Sequence, residues 1–320
     1  MDVKRYKEFI LFGGQLERKE AIALSELDTE ELARAADEIR NYFCGNAFDL
    51  CTIINAKSGR CTEDCKYCAQ SAHYEAQLDE YPLLSGTVLV KEALSNEEKG
   101  ALRFSAVTSG RSLSDAEVEA LAASYREIKK KSQLSLCASH GILTLKQFIK
   151  LKEAGLCRYH NNLETSAGYF DKICTTHTYR EKIQAICNAK KAGLEVCSGG
   201  IIGLGEKMED RIDLAIALRR LEVASVPINI LNPIKGTPLE SLPVLSIDEV
   251  RKSVAVFRFL MPRAVIRLAG GRGLLSDKGA CLFQGGANAA ISGNMLTTSG
   301  NGIQEDREMI EALGFEIRKI

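Results

Sequence analysis

Apolar and polar positions along the chain alternate between two rhythms. Short runs rich in Val, Ile and Leu occur at Phe48–Asn55, Leu102–Thr108, Gln133–Ala138, Cys157–Leu163, Leu194–Ile202, Val226–Leu231, Ala264–Ala269 and Asn288–Ser292. These read as strands. Segments with a helical period separate them: Val88–Gly100, Asp115–Lys130, Leu145–Ala154, Tyr179–Ala192, Glu209–Leu221, Ile247–Leu260 and Asp306–Leu313, with Ser276–Gln284 a less regular one. Ahead of the first strand, residues 17–45 repeat apolar residues at Ile22, Leu24, Leu27, Leu32 and Ala35, and Asp28-Thr-Glu-Glu can cap a second helical segment. Strands alternating with helices predict a parallel sheet, and eight such units predict an α/β fold closed as a (β/α)8 TIM-type barrel. A doubly wound open sheet is the alternative, since one sequence does not give strand order. Glycine and proline fall where turns are needed, as in Asn232-Pro-Ile-Lys-Gly-Thr-Pro238 and Gly270-Gly-Arg-Gly273. No composition shift divides the chain. The expectation is one domain over 1–320, with 1–47 as a helical N-terminal cap and 48–320 as the barrel.

Composition narrows the function. The 320 residues hold 42 Lys+Arg against 42 Asp+Glu, so no net field recruits nucleic acid or an anionic membrane. No stretch approaches the roughly 20 apolar residues of a membrane span, and Met1-Asp-Val-Lys-Arg-Tyr-Lys lacks the apolar core of a signal peptide. Eleven cysteines without a secretion signal predict a cytoplasmic protein whose thiols bind metal or pack.

Three of them form one loop directly after the first strand, Cys61-Thr-Glu-Asp-Cys65-Lys-Tyr-Cys68. One reading is a zinc site completed by a remote residue such as His73. The other is a four-iron cluster with one iron open to a small molecule. The loop follows the C-terminal end of a barrel strand, the catalytic face of that fold. The C-x3-C-x2-C spacing, with Tyr67 before the third cysteine, resembles that of the radical S-adenosylmethionine (SAM) superfamily. The resemblance implies that Cys61, Cys65 and Cys68 hold a [4Fe-4S] cluster. Its open iron would chelate SAM, whose reductive cleavage yields a 5′-deoxyadenosyl radical.

Further runs narrow the family. Lys57-Ser-Gly-Arg-Cys-Thr-Glu-Asp-Cys-Lys-Tyr-Cys-Ala-Gln-Ser71, Tyr159-His-Asn-Asn-Leu-Glu-Thr-Ser166 and Cys197-Ser-Gly-Gly-Ile-Ile-Gly-Leu-Gly-Glu206 resemble the biotin synthase family. So do Ser225-Val-Pro-Ile-Asn229, Gly236-Thr-Pro-Leu239, Ile266-Arg-Leu268, Gly286-Ala-Asn288 and Leu296-Thr-Thr298. The resemblance runs from about residue 48 to 315. It implies sulfur insertion between C6 and C9 of dethiobiotin, with two hydrogen abstractions consuming two SAM molecules and an auxiliary iron–sulfur cluster supplying the sulfur. It further implies an electron donor such as flavodoxin or ferredoxin, and a homodimer. A maturase-type or mutase-type relative acting on another small substrate is the alternative enzyme. A cluster-carrying scaffold without catalysis is the alternative class.

The resemblance assigns Tyr67, Asn162, Glu164, Lys182, Ile201 and Asn229 to cofactor and substrate binding. Asn162 and Glu164 are expected to face one side of the fourth strand. Lys182 stands where the family has a carboxylate-binding arginine, keeping the charge without the planar two-point grip. Arg180 lies on a different helix face. For the auxiliary cluster, Cys137, Cys197 and Arg267 match the family directly, whereas its second-strand cysteine is replaced in Arg103-Phe104-Ser105. A serine oxygen is a poor substitute for thiolate on iron. Cys51, Cys137, Cys197 and Arg267 come from strands one, three, five and seven, and alternate strands supply the four side chains of one barrel layer. Cys51 is therefore expected to take over the ligand role lost at Ser105, the alternative being a small packed thiol. The cluster is [2Fe-2S], as in most of the family, or a larger sulfur-rich four-iron form. Cys44, Cys157, Cys174, Cys187 and Cys281 are expected to pack, and His140 to be a polar loop residue.

Overall fold

The computed structural model describes residues 2–298 and 300–320; Met1 and Ser299 lie outside the described residues. The strands are β1 (Ala47–Lys57), β2 (Arg103–Thr108), β3 (Ser135–Ser139), β4 (Leu156–His160), β5 (Glu195–Cys197), β6 (Gly200–Ile202), β7 (Ser225–Ile230), β8 (Val265–Leu268), β9 (Ala289–Ser292) and β10 (Glu316–Ile317). All pair in parallel, in chain order, and β9 returns to β1. The sheet is thus a closed eight-strand (β/α)8 barrel, with β5 and β6 forming one interrupted wall position and β10 a short addition beside the start of β1.

The helices are α1 (Val3–Leu11), α2 (Arg18–Ser25), α3 (Thr29–Cys44), α4 (Gly86–Glu98), α5 (Asp115–Lys131), α6 (Leu145–Glu153), α7 (Tyr179–Lys191), α8 (Met208–Arg220), α9 (Ile247–Leu260), α10 (Ala280–Phe283) and α11 (Ile303–Ala312). Their starts are encoded locally. Ser114/Glu117, Thr144/Gln147 and Thr178/Glu181 form reciprocal capping boxes on α5, α6 and α7, each such cap being worth about 1 kcal/mol. The helical stretch expected over 17–45 is two helices, broken at Glu26–Asp28, where the Asp28 carboxylate accepts from Glu31 N–H and starts α3. Helix α1 and strand β10 are additions to the expected elements, and Ser276–Gln284 contributes only the single turn of α10. The cap helices join the outer ring, α3 against α9 and α2 against α8. No helix among the described residues is long and apolar enough to cross a membrane.

The main apolar core is a continuous cluster from Val3 to Phe315 between barrel and helix ring, and a smaller one, built on Phe170, Ile173, Cys174, Leu204 and Leu231, packs against Cys65 and Tyr67 of the cysteine loop. A buried ion pair fastens the last helix: Arg272, after β8, donates to both carboxylate oxygens of Asp306 on α11 at 2.8 and 2.5 Å.

Pair register fixes the layers inside the barrel. Cys51 pairs with Arg103, which pairs with Ser135, and Cys137 lies two residues further along. Cys137 pairs with Arg158, which pairs with Glu195, and Cys197 lies two residues further. Cys197 pairs with Ser225 and Ser225 with Val265, two residues before Arg267. Arg267 pairs with Ala289 and Ala289 with Asp49, two residues before Cys51. Four equal steps of two residues return to the starting residue, which is the shear of about eight that sets TIM-barrel layers. Cys51, Cys137, Cys197 and Arg267 are therefore one layer of four.

Candidate active site

The barrel opens at the C-terminal ends of its strands into a cavity of about 400 Å³. Its floor is the layer just derived, and all four of its side chains line the cavity. Ser105, one inward position higher, lines it as well.

A concentration of charge lies at and just beneath the floor, where Arg103 and Arg158 also reach the cavity. The Asp49 carboxylate is fully buried, 2.7 Å from Arg103 Nε, 3.5 Å from Arg267 Nη2 and 3.8 Å from Arg158 Nη1. Three guanidiniums thus converge on Asp49, while Arg158 also meets the exposed Glu195 at 2.9 Å and Arg103 Nη2 donates to Ile320 O at 2.8 Å. Arg267 donates through Nη1 to the Asp49 and Ala290 carbonyls, but its buried Nη2 has no hydrogen-bond partner. A buried guanidinium nitrogen with no acceptor among the described residues is unfavourable unless an anion lies beside it. The thiols next to it respond. Burial pushes Cys197 up, but the His160 side chain, Arg267 and Arg158 outweigh it and bring the thiol down to about 7. Hydrogen bonding to Cys137 lowers Cys51 against burial, with Arg267 acting in the same sense, whereas for Cys137 a bond to Cys157 is outweighed by that to Cys51 and by burial, which push its thiol up to about 12. A floor of three thiols beside buried guanidiniums, one of which has an unpartnered nitrogen, fits an anionic, thiolate-held iron–sulfur cluster.

The mouth is built from three loops. The cysteine loop folds on itself through Cys61 N–H to Gln70 O, Ala72 N–H to Cys61 O and Cys68 N–H to Cys65 O. Its three half-buried thiols are free, and Cys61 and Cys68 line the cavity. That donor set fits a four-iron cluster with one open site. His73 stays exposed, its Nε2 on the Thr62 carbonyl, and takes no part in a ligand set with the three. Tyr67 lines the cavity too, its phenol kept neutral by burial and by the nearby Cys65, Glu164 and Cys68.

Asn162 and Glu164 also face the cavity, though not from a strand as expected: β4 ends at His160 and Glu164 adopts φ 71°. The reason is the interruption between β5 and β6. Asn162 Oδ1 accepts from Gly199 N–H at 3.0 Å, Glu164 N–H donates to Gly199 O, and Ile201 N–H donates to Glu164 O. A side-chain amide therefore completes the wall where the ladder lapses. Glycine is required there: a Cβ on Gly199 would lie 1.8 Å from Pro227 O, and one on Gly200 2.3 Å from Glu164 O. Asn162 Nδ2 also donates to Glu164 Oε2 at 3.2 Å, and Glu164 Oε1 stands 3.8 Å from Lys182 Nζ in the first turn of α7. Ile201 and Asn229 pair across β6 and β7 and both line the cavity.

Two further expectations change. His140 is fully buried, bonded to Tyr125 Oη at 2.9 Å and Thr108 Oγ1 at 3.1 Å, and burial lowers its pKa to about 3. Cys174 does more than pack. Its Sγ is 3.7 Å from Cys65 Sγ and 3.3 Å from His177 Nδ1; Cys65 and His177 hold its thiol down against the effect of burial, and the same contact pushes the Cys65 thiol up. Sequence separation hid this pair, 109 residues apart. The arginines under the floor were missed as a group; the signal was available in the strand positions of Arg103 and Arg158.

Known proteins match the whole of this architecture. Residues 56–218 match the family model of the radical SAM superfamily, and 227–316 that of the Biotin and Thiamin Synthesis associated domain. The biotin synthase of Clostridium botulinum strain Hall is 56% identical over 316 residues, covering 99% of each chain. That of Akkermansia muciniphila is 54% identical over 97% of this chain and 96% of its own. Among solved structures, methylornithine synthase superposes with a TM-score of 0.85 over 98% of this chain and 97% of its own, at 18% identity. The FeFe-hydrogenase maturase HydG from Carboxydothermus hydrogenoformans gives 0.80 over 98% and 78%, also at 18%; at such identity both speak for the fold alone. Two family models in series on one barrel, and relatives above half identity from end to end, lead to one conclusion: the chain belongs to the biotin synthase family of the radical SAM superfamily.

Proposed function

We infer that this chain makes biotin from dethiobiotin by inserting sulfur between C6 and C9, as one unit with residues 1–47 as cap. The observation that carries the reading is the shared layer of Cys51, Cys137, Cys197 and Arg267 beneath a mouth that carries a second set of thiols. In this reading Cys61, Cys65 and Cys68 hold a [4Fe-4S] cluster. The floor layer holds the auxiliary cluster, [2Fe-2S] or a larger sulfur-rich form, with Cys51 in place of the thiol absent at Ser105. When bound, the [4Fe-4S] cluster and SAM supply a radical able to take hydrogen from unactivated carbon.

The chain's own residues do the rest. Asn162 and Glu164 are pre-oriented by each other and by Gly199, so their polar atoms are fixed before a ligand arrives. Lys182 offers a carboxylate a point charge. Ile201 and Asn229 set one wall for nucleoside and substrate, and the neutral Tyr67 closes the cysteine loop over them. Closed walls exclude water that would quench a reactive intermediate. Arg103, Arg158 and Arg267 keep a positive field beneath the sulfur source. The reading includes a donor of the flavodoxin or ferredoxin type, a homodimer and a cytoplasmic location.

One anaerobic assay tests it, with reductant, SAM and dethiobiotin, scored for biotin and 5′-deoxyadenosine. Both products are expected. Deoxyadenosine without biotin points to a relative with another substrate, and neither product from a protein with both clusters intact overturns the reading.

A further inference from the structure

Beneath the thiol layer the barrel is not filled as a barrel core ordinarily is. The strand pairings fix which side chains lie there. Arg103 pairs with both Cys51 and Ser135, and Arg158 with both Cys137 and Glu195. Ser225 pairs with Cys197 and Val265, and Ala289 with Arg267 and Asp49. Arg103, Arg158, Ser225 and Ala289 therefore form the layer directly below the thiols. Asp49, Ser135, Glu195 and Val265 form the layer below that. Bulky branched residues dominate such layers in most barrels; here Val265 alone is branched and apolar, and the others are charged or small. Asp49 Oδ1 and Arg267 Nη2 are buried in this column with no hydrogen-bond partner among the described residues. The column is thus polar, and a small polar guest finds partners in it that an apolar core would not offer.

The column ends in a second cavity, of about 630 Å³, at the N-terminal end of the barrel. Glu195, Ala224 and Val265 line it from the strand starts, and Gly13 and Gly14 from the cap. Arg158 is the one residue that lines both this cavity and the active-site cavity. Its Nε and Nη2 both donate to Glu195 Oε2, at 3.0 and 2.9 Å. The Glu195 side chain is 57% exposed, so the pair is weak and screened by salt. The long Arg158 side chain can leave it without moving the backbone, and Ser225 and Ala289 beside it are too small to fill the space it vacates. Charge then selects what passes: the guanidiniums of Arg103, Arg158 and Arg267 stay ionised, which repels cations and favours a small anion.

We propose that the basal cavity and the Arg158–Glu195 pair form a port through which hydrosulfide reaches the floor layer from the N-terminal end of the barrel, independently of the mouth. The proposal rests on the reading of that layer as the holder of the sulfur-supplying cluster. In that reading SAM and dethiobiotin occupy the mouth, while sulfur spent at the floor has to return in reduced form. Hydrosulfide is the smallest such species and carries a negative charge. Its exchange at the floor needs no redox partner: the proton of the incoming hydrosulfide passes to the sulfide it displaces, which departs as hydrosulfide.

The test uses the holoenzyme, anaerobic and without reductant, so that no turnover occurs. It is incubated with ³⁴S-hydrosulfide and desalted, and its acid-labile sulfide is analysed by mass. A single turnover then reports exchange at the floor alone, as the ³⁴S fraction of the biotin formed. Wild type is expected to label at the same rate whether or not saturating SAM and dethiobiotin close the mouth. Ala224→Trp, at an exposed position on the cavity rim, should slow labelling severalfold. Glu195→Gln removes the carboxylate that holds Arg158 and repels anions, and should speed labelling by up to about tenfold at low salt. Circular dichroism melts and iron content confirm that each variant is folded and loaded. Absence of ³⁴S from wild-type biotin overturns the proposal, as does labelling suppressed by SAM and dethiobiotin, or a rate unmoved in both variants; the polar column is then a structural network only. Failure of the underlying reading looks different: holoenzyme assembled with ³⁴S in all its clusters would yield biotin without ³⁴S, or no biotin.

Discussion

Replacing Cys51 with alanine separates the auxiliary-ligand role from packing. Cys51 is 7% exposed, and its replacement removes one buried sulfur. A truncation of that size costs about 1 kcal/mol, against a typical ~5–15 kcal/mol for a folded domain, so the barrel survives. The floor site loses far more. Even a group one shell away from a metal is worth about 10–100-fold in affinity, so one of three thiolates is worth at least about 100-fold, or roughly 2.7 kcal/mol. Iron and sulfide analysis with Mössbauer spectra should show the auxiliary signal below about a tenth of wild type while the four-iron signal persists. Deoxyadenosine should still form and biotin should not. Ser105→Cys in the same chain should recover part of the auxiliary signal. Position 105 pairs with Cys137 across adjacent strands, which sit about 4.8 Å apart, one inward position above Cys51. A complete auxiliary cluster in Cys51→Ala refutes the ligand argument and leaves Cys51 as a packed thiol.

Three other expectations follow from the same coordinates. His140 has a folded pKa of about 3 against about 6.5 unfolded. Its contribution to stability is therefore present above pH 6.5 and is lost as pH falls toward 3, by up to about 1.4 kcal/mol per unit. Between pH 7 and 5 wild type should lose about 2 kcal/mol more than His140→Gln in denaturant unfolding; parallel profiles would contradict the buried neutral assignment. Lys182→Arg restores a two-point carboxylate grip and should lower the KM for SAM by up to about tenfold, while Lys182→Ala raises it; a KM indifferent to both changes removes Lys182 from the binding set. Asp306→Asn strands Arg272, whose side chain is 3% exposed, and should cost about 3–5 kcal/mol, read as a lower denaturation midpoint. An unchanged midpoint would mean that the pair contributes nothing net.

The barrel was legible because its strands are short β-branched runs and its helices carry their caps locally, as at Ser114 and Thr178. The layer of Cys51, Cys137, Cys197 and Arg267 was legible because alternation and strand count are sequence properties, and register then follows from barrel closure. Other features depend on what the chain meets in space. The apolar pattern past His160 reads as strand, yet the wall there is closed by the Asn162 amide and Glu164 turns to positive φ. His140 looks like a loop residue until Tyr125 and Thr108 enclose it. Cys174 and His177 carry no motif spacing toward Cys65; the packing of the segment before α7 on the cysteine loop brings them together. Strand β10 gains its identity only from β1 beside it.

The splice at Asn162 also links the two ends of the cavity mechanically. At Gly199 the sheet is held by a side chain that faces the mouth, two residues beyond the floor thiol of Cys197. A ligand that drew the Asn162 amide away would break a sheet bond directly, with no helix or loop as intermediary. The Gly199 amide is accordingly a reporter built into the wall. Its rate of exchange with solvent tracks the state of the mouth, whereas the Asn161 amide beside it, bonded to the Cys197 carbonyl, tracks the barrel.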